Sequence, residues 1–175
     1  YSSAASDVYK RQSEWKTRGE EQSYDTLIPQ AAEATIASII PVDDALFMNP
    51  VNMENALMDY CRQHDLPVPQ NKAEMVKCVL QSLAFKYKQA VEKLNRCLPS
   101  SIRQLNIIGG GSQNKLLNQL TADTLGIPVY AGPVEATAIG NILTQAMAKG
   151  EISDLHELRE IVRHSITPQV YHPKK

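Results

Sequence analysis

Apolar residues fall at helical spacing along most of this chain and at strand spacing in only a few short runs. Val76, Val79, Leu80, Leu83, Ala84, Tyr87, Ala90, Val91 and Leu94 form one continuous apolar face and predict the longest helix. Asn71, with Glu74 three residues on, offers that helix a capping box, and it stops near Pro99. Met53, Ala56, Leu57, Tyr60 and Cys61 mark a shorter helix ahead of it. Asn49-Pro50 supplies an N-cap and a proline at the first helical position, and Leu66-Pro67 closes the segment. Residues 13–34 also read as helical, broken by Gly19 and Pro29. The apolar run Ile36–Ile40 is either a strand or a buried turn, and periodicity does not decide between them.

The second half alternates. Arg103–Ile108 is the clearest strand, Gln113–Leu125 a helix, Ile127–Tyr130 a short second strand, and Glu135–Lys149 a second helix. Leu125-Gly126-Ile127-Pro128 is a helix stop, with glycine past the last turn and proline beyond it. Asp154 with Glu157 caps a last helix that carries Leu155, Leu158, Ile161 and Val162. The tail from Ile166 holds prolines and reads as mostly irregular. Strand, helix, strand, helix is an α/β unit with a parallel strand pair. So small a sheet cannot cover its helices, so further strands are expected upstream.

Composition narrows the class. With 43% hydrophobic and 21% charged residues the chain reads as an ordinary soluble globular domain. A net charge of −1 gives no electrostatic case for nucleic acid or an anionic membrane. No apolar run approaches the ~20 residues of a membrane span, and Tyr1–Gln12 lacks the apolar core of a signal peptide. Those residues, small and polar with no period at their start, read as a non-native or disordered leader, leaving 13–175 as the domain proper. Cys61, Cys78 and Cys97 fit neither a metal pattern nor a dense disulfide framework, and a reducing cytoplasm is the expected setting. Cys61 and Cys78 flank the Pro67/Pro69 connection; free thiols are expected, a disulfide only if the geometry permits it. His156 and His164 stand eight apart on one helix and read as surface residues. No Ser-His-Asp or Cys-His arrangement has supporting context.

Chemistry concentrates at Ile107-Ile108-Gly109-Gly110-Gly111-Ser112-Gln113-Asn114. A strand running into three glycines and then a helix start lets main chain approach a ligand closely, and the helix N-terminus suits a phosphate. The run lacks the Gly-Lys-Ser/Thr ending of a Walker loop, and Asn114 stands where a dinucleotide fingerprint has glycine or alanine. A plain structural turn is the competing reading. Asn114, in the first turn of the following helix, can offer an amide to an adenine edge or be simply solvated. Asn118, one turn on, reads as structural. Ala136, Gly140 and Thr144, four apart, leave one helix face nearly bald and open to close packing. Glu135 complements that helix's dipole or, as the lesser reading, serves a metal or water.

The ordered string from Asn106 through Gly109-Gly110-Gly111-Ser112-Gln113-Asn114 and Ala122-Asp123 to Gly132-Pro133-Val134-Glu135-Ala136-Thr137-Ala138-Ile139-Gly140-Asn141 resembles the C-terminal domain of the FGGY carbohydrate kinases. Within that family it is most similar to the members acting on L-rhamnulose. Phe47-Met48-Asn49-Pro50 and Gln81-Ser82-Leu83-Ala84 add to the resemblance, which runs from about Ser13 to the tail. It implies an α/β fold, the C-terminal lobe of an actin-like ATPase (ribonuclease H-like), here with an incomplete central sheet. It also implies ATP, with Mg2+, in a cleft between two domains, and transfer of the γ-phosphoryl group to the 1-hydroxyl of L-rhamnulose. Carried over residue by residue, Gly110 is the leading nucleotide contact, followed by Gly109, Gly111 and Asn114. The general base, the sugar-binding residues and the Mg2+ environment would lie upstream, so no catalytic residue and no metal ligand is assigned here. The alternatives are another sugar kinase of the family, for xylulose, fuculose or glycerol, or a nucleotide-binding module without activity.

Overall fold

The computed structural model describes residues 23–174. The expected leader at 1–12 and the start of the first helical stretch lie outside them. The elements in order are α1 (Tyr24–Glu33), α2 (Met53–Gln63), α3 (Lys72–Asn95), β1 (Leu105–Ile107), α4 (Lys115–Leu125), β2 (Val129–Ala131), α5 (Ala136–Ala148), α6 (Leu155–Ser165) and β3 (Gln169–Tyr171). Two 3-10 helices, Ala45–Phe47 and Gly109–Gln113, lie between them.

The long helix forms where its apolar face and its cap require it. Asn71 Oδ1 accepts from the Glu74 N–H at 2.9 Å, and the Glu74 carboxylate accepts in return from the Gln70 N–H at 2.7 Å. Its buried face, Met75, Val76, Val79 and Leu80 among others, joins Leu27 and Ala31 of α1, Leu57 and Cys61 of α2 and Leu117 of α4 in the larger core. Burial of Leu27 and Ala31 also carries α1 through Pro29, which does not break the helix as its sequence implied. The start of α2 is also corrected. Its N-cap is Asn52, whose Oδ1 accepts from the Asn55 N–H at 2.9 Å, and Asn49-Pro50 lies outside the helix, beyond the first 3-10 helix.

The run Ile36–Ile40 forms neither a strand nor a turn, and it pairs with no strand among the described residues. Side chains of α3 take the place of a neighbouring strand. Gln81 Nε2 donates to the carbonyls of Ile36 and Ser38 at 2.9 and 2.8 Å. Ser82 Oγ accepts from the Ile40 N–H at 2.9 Å. Buried backbone polar groups are thereby paired without a ladder. Cys61 and Cys78 are both buried, and no disulfide joins them. Burial pushes the Cys61 thiol up, while hydrogen bonds with Ser38 and Cys78 pull the other way.

The sheet has the order β1-β2-β3. β1 and β2 are parallel, with Leu105 opposite Val129 and Ile107 opposite Ala131. β3 is antiparallel to β2, with Val129 opposite Tyr171. The tail from Ile166 is mostly irregular, as expected, but β3 interrupts it: Pro168 and Pro173 flank the strand and leave its three residues free to pair. Ala122, Val129, Ala131 and Tyr171 form a second core between α4 and the sheet. α4 ends at Gly126, left-handed at φ 69°, whose N–H returns to the Ala122 carbonyl at 2.9 Å. Asp154 caps α6 through the N–H groups of His156 and Glu157. His156 and His164 are exposed, as read.

The bald face of α5 does not pack closely against another described element. No residue of α5 is buried, Ile142 is 65% exposed, and a Cβ at Gly140 would meet nothing within 4 Å. Thr144 Oγ1 bonds the Gly140 carbonyl of its own helix at 2.7 Å.

Truncation should separate core from surface. Leu80→Ala, at a fully buried site, should cost about 2–5 kcal/mol. Leu155→Ala, at a half-exposed site on α6, should cost about 0.5 kcal/mol or less. Urea unfolding of the two variants against the parent checks both.

Candidate nucleotide-phosphate site

Two loops meet at the C-terminal ends of the parallel strands. The first leaves β1 through Gly109–Gln113, the second leaves β2 through Gly132-Pro133. They are tied in both directions: the Gly132 N–H donates to the Ile107 carbonyl at 2.8 Å, and the Gly109 N–H to the Pro133 carbonyl at 3.0 Å. In open α/β sheets this end of the strands is where ligands bind.

The glycines are not equivalent. Gly109 sits at φ +71°, a conformation that a side chain makes costly. Gly111 is buried, and a Cβ there would make an ordinary contact with Ile107 Cγ2 at 3.7 Å. Gly110 is exposed, has no positive φ, and a Cβ on it would meet nothing within 4 Å. Neither backbone conformation nor neighbouring atoms within the described residues require a glycine at 110.

The helix behind the turn starts two residues later than the sequence implied, because Gly109–Gln113 winds as a 3-10 helix first. Asn114 is therefore the N-cap of α4 and not a first-turn residue. It is 1% exposed, which removes the solvated reading. Its Oδ1 accepts from the Leu117 N–H at 3.0 Å, while its Nδ2 is buried without a protein partner among the described residues. Asn118, fully buried, donates from Nδ2 to the Ser112 carbonyl at 2.8 Å, and Ser112 Oγ donates to the Gly109 carbonyl at 2.7 Å. The sequence pointed to the glycines and to Asn114 but not to Ser112, whose buried place in the turn has no signal in its residue type.

Glu135 is exposed at the N-cap of α5 and makes no side-chain capping bond. Its place at the positive end of the helix suits a carboxylate. Among the described residues no group of three or more His, Cys, Asp or Glu side chains is arranged to hold a metal ion. No described helix is long and apolar enough to cross a membrane.

Residues 3–149 match the model of the FGGY family of carbohydrate kinases, C-terminal domain. The chain belongs to that family, and its fold is the C-terminal lobe of an actin-like ATPase with part of the sheet. Among its relatives is a rhamnulokinase of Bacteroides thetaiotaomicron, 46% identical over 153 residues, covering 87% of this chain and 32% of that protein. Rhamnulokinases of Pectobacterium carotovorum and Bacillus subtilis are 47% and 44% identical, over 82% and 77% of the chain and 29% and 28% of their own lengths. The chain thus spans about a third of the length of the relatives it matches. In fold it is similar to a gluconate kinase from Lactobacillus acidophilus, with a TM-score of 0.56, 19% identity, and coverage of 87% of this chain and 30% of that one.

Adding a single methyl group should distinguish the glycines. Gly109→Ala should lower stability by about 1–2 kcal/mol, because it forces a Cβ into the left-handed region. Gly110→Ala should leave stability within about 0.5 kcal/mol of the parent. Thermal unfolding monitored by circular dichroism checks the pair.

Proposed function

We propose that this chain is the nucleotide-facing C-terminal domain, residues 13–175, of a kinase that transfers the γ-phosphoryl group of ATP to the 1-hydroxyl of L-rhamnulose. The observation that carries the reading is Gly110: it is bare of side chain where nothing in the described fold asks for that. A ligand brought against the main chain would require it, and the open end of a parallel strand pair is the place for one. Identities of 41–47% to rhamnulokinases support the choice of L-rhamnulose.

Gly109, Gly110 and Gly111 line the phosphate end of ATP, helped by the positive end of α4; the Gly109 N–H stays with the Pro133 carbonyl, so Gly109 shapes the turn and the main chain at Gly110 meets the phosphate. Asn114 completes the set with Nδ2, a donor without a protein partner among the described residues. That atom is buried, so a base reaches it only with a local shift of the 3-10 turn. Mg2+ would neutralise charge on the transferring phosphate. Its ligands and the sugar-activating base would belong to the rest of the kinase. Phosphoryl transfer rests on positioning by all these parts together.

The isolated 175-residue chain should therefore show no measurable transfer to L-rhamnulose. In the full-length kinase, Gly110→Val should raise the KM for ATP at least tenfold and the KM for sugar less than twofold, since a β-branched side chain would stand where phosphate must lie. Steady-state kinetics with L-rhamnulose, xylulose, fuculose and glycerol check both the site and the sugar. Turnover by the isolated chain, or equal effects on both substrates, would contradict the reading.

A further inference from the structure

Asn118 and Ser112 form a buried linkage beneath the glycine turn. Asn118 Nδ2 holds the Ser112 carbonyl at 2.8 Å, and Ser112 Oγ holds the Gly109 carbonyl at 2.7 Å. The Gly111 carbonyl is engaged by the Asn114 N–H at 3.2 Å. Three carbonyl oxygens of one short turn are thus held in hydrogen bonds within the domain. A carbonyl oxygen pointing outward would repel an anion, and each bond that holds one inside leaves the outer face to N–H groups.

Asparagine at 118 carries a cost beside the bond it makes. The side chain is fully buried, and its Oδ1 has no protein partner among the described residues. A buried acceptor left in that state is a cost. Leucine, of similar size, would bury there without it, but could not hold the Ser112 carbonyl. Asn114 Nδ2, one helical turn back on the same face, is likewise unpartnered. The polar content of this helix face exceeds what capping uses, and it lies directly under the turn.

We propose that Asn118, acting through Ser112, is a positioning residue for nucleotide binding: it sets the orientation of the Gly109–Ser112 peptides so that the outer face of the turn accepts phosphate. This rests on the proposed function above and adds to it two residues that touch no substrate themselves.

The test uses the full-length kinase, with Asn118→Leu, Ser112→Ala and, as reference, Gly110→Val. Asn118→Leu and Ser112→Ala should each raise the KM for ATP about tenfold, the worth of one buried hydrogen bond of ordinary net strength. The KM for sugar should stay within twofold. If Asn118→Leu does not fold, Ser112→Ala, a smaller change at the other link, decides. Unchanged KM for ATP, or equal rises for ATP and sugar, would overturn the positioning role. Gly110→Val then separates the two ideas: a selective rise in its KM for ATP means that only the positioning role has failed, and no rise means that the nucleotide reading has failed with it.

Discussion

Everything at the candidate site depends on α4 being buried from two directions. Leu117 points into the core shared with α1, α2 and α3, while Ala122 lies in the second core against the sheet. A helix wedged in this way cannot slide or turn without opening both cores. Its N-terminus is therefore a fixed point, and the glycine turn inherits that fixity through Asn114 and Asn118. A loop of small residues would otherwise be among the most mobile parts of the chain. Rigid support from behind and freedom from side chains in front is the combination that a main-chain anion site requires.

The helical half of the molecule serves this end indirectly. α3 carries the larger core on one flank and, through Gln81 and Ser82, also satisfies the extended segment 36–40. No described strand lies beside that segment, and the Ile36 and Ser38 carbonyls and the Ile40 N–H find those two side chains instead. Polar residues inside α3 thus substitute for a sheet neighbour. The same device recurs in α4, where buried Asn118 serves the main chain of the glycine turn, and Thr121 closes its own hydroxyl on the Leu117 carbonyl at 2.7 Å.

Local signals were legible where local physics decides. The boxes at Asn71/Glu74 and Asp154/Glu157, the glycine stop at 126 and the strand–helix–strand order all follow from capping chemistry and periodicity, and all are present. What escaped depends on contacts distant in sequence. β3 is only three residues long between prolines, and it exists because β2 offers an edge. Asn49 and Asn52 are equally good caps by residue type; the chain bends through 49–51 before the helix begins, and Asn52 takes the cap. The burial of Asn114 is a tertiary fact, which no spacing within α4 reveals. For the site, residue types identified the three glycines as a group, and only the geometry distinguishes Gly109, which the backbone needs, from Gly110, which it does not.

The paired bonds between the two loops, Gly132 N–H to Ile107 and Gly109 N–H to Pro133, make them one mechanical unit. A push on the turn after β1 would be passed to the segment leading into α5, a helix with no buried residue. A displacement at this end of the sheet would thus reach an exposed helix, with two peptide groups serving as the latch.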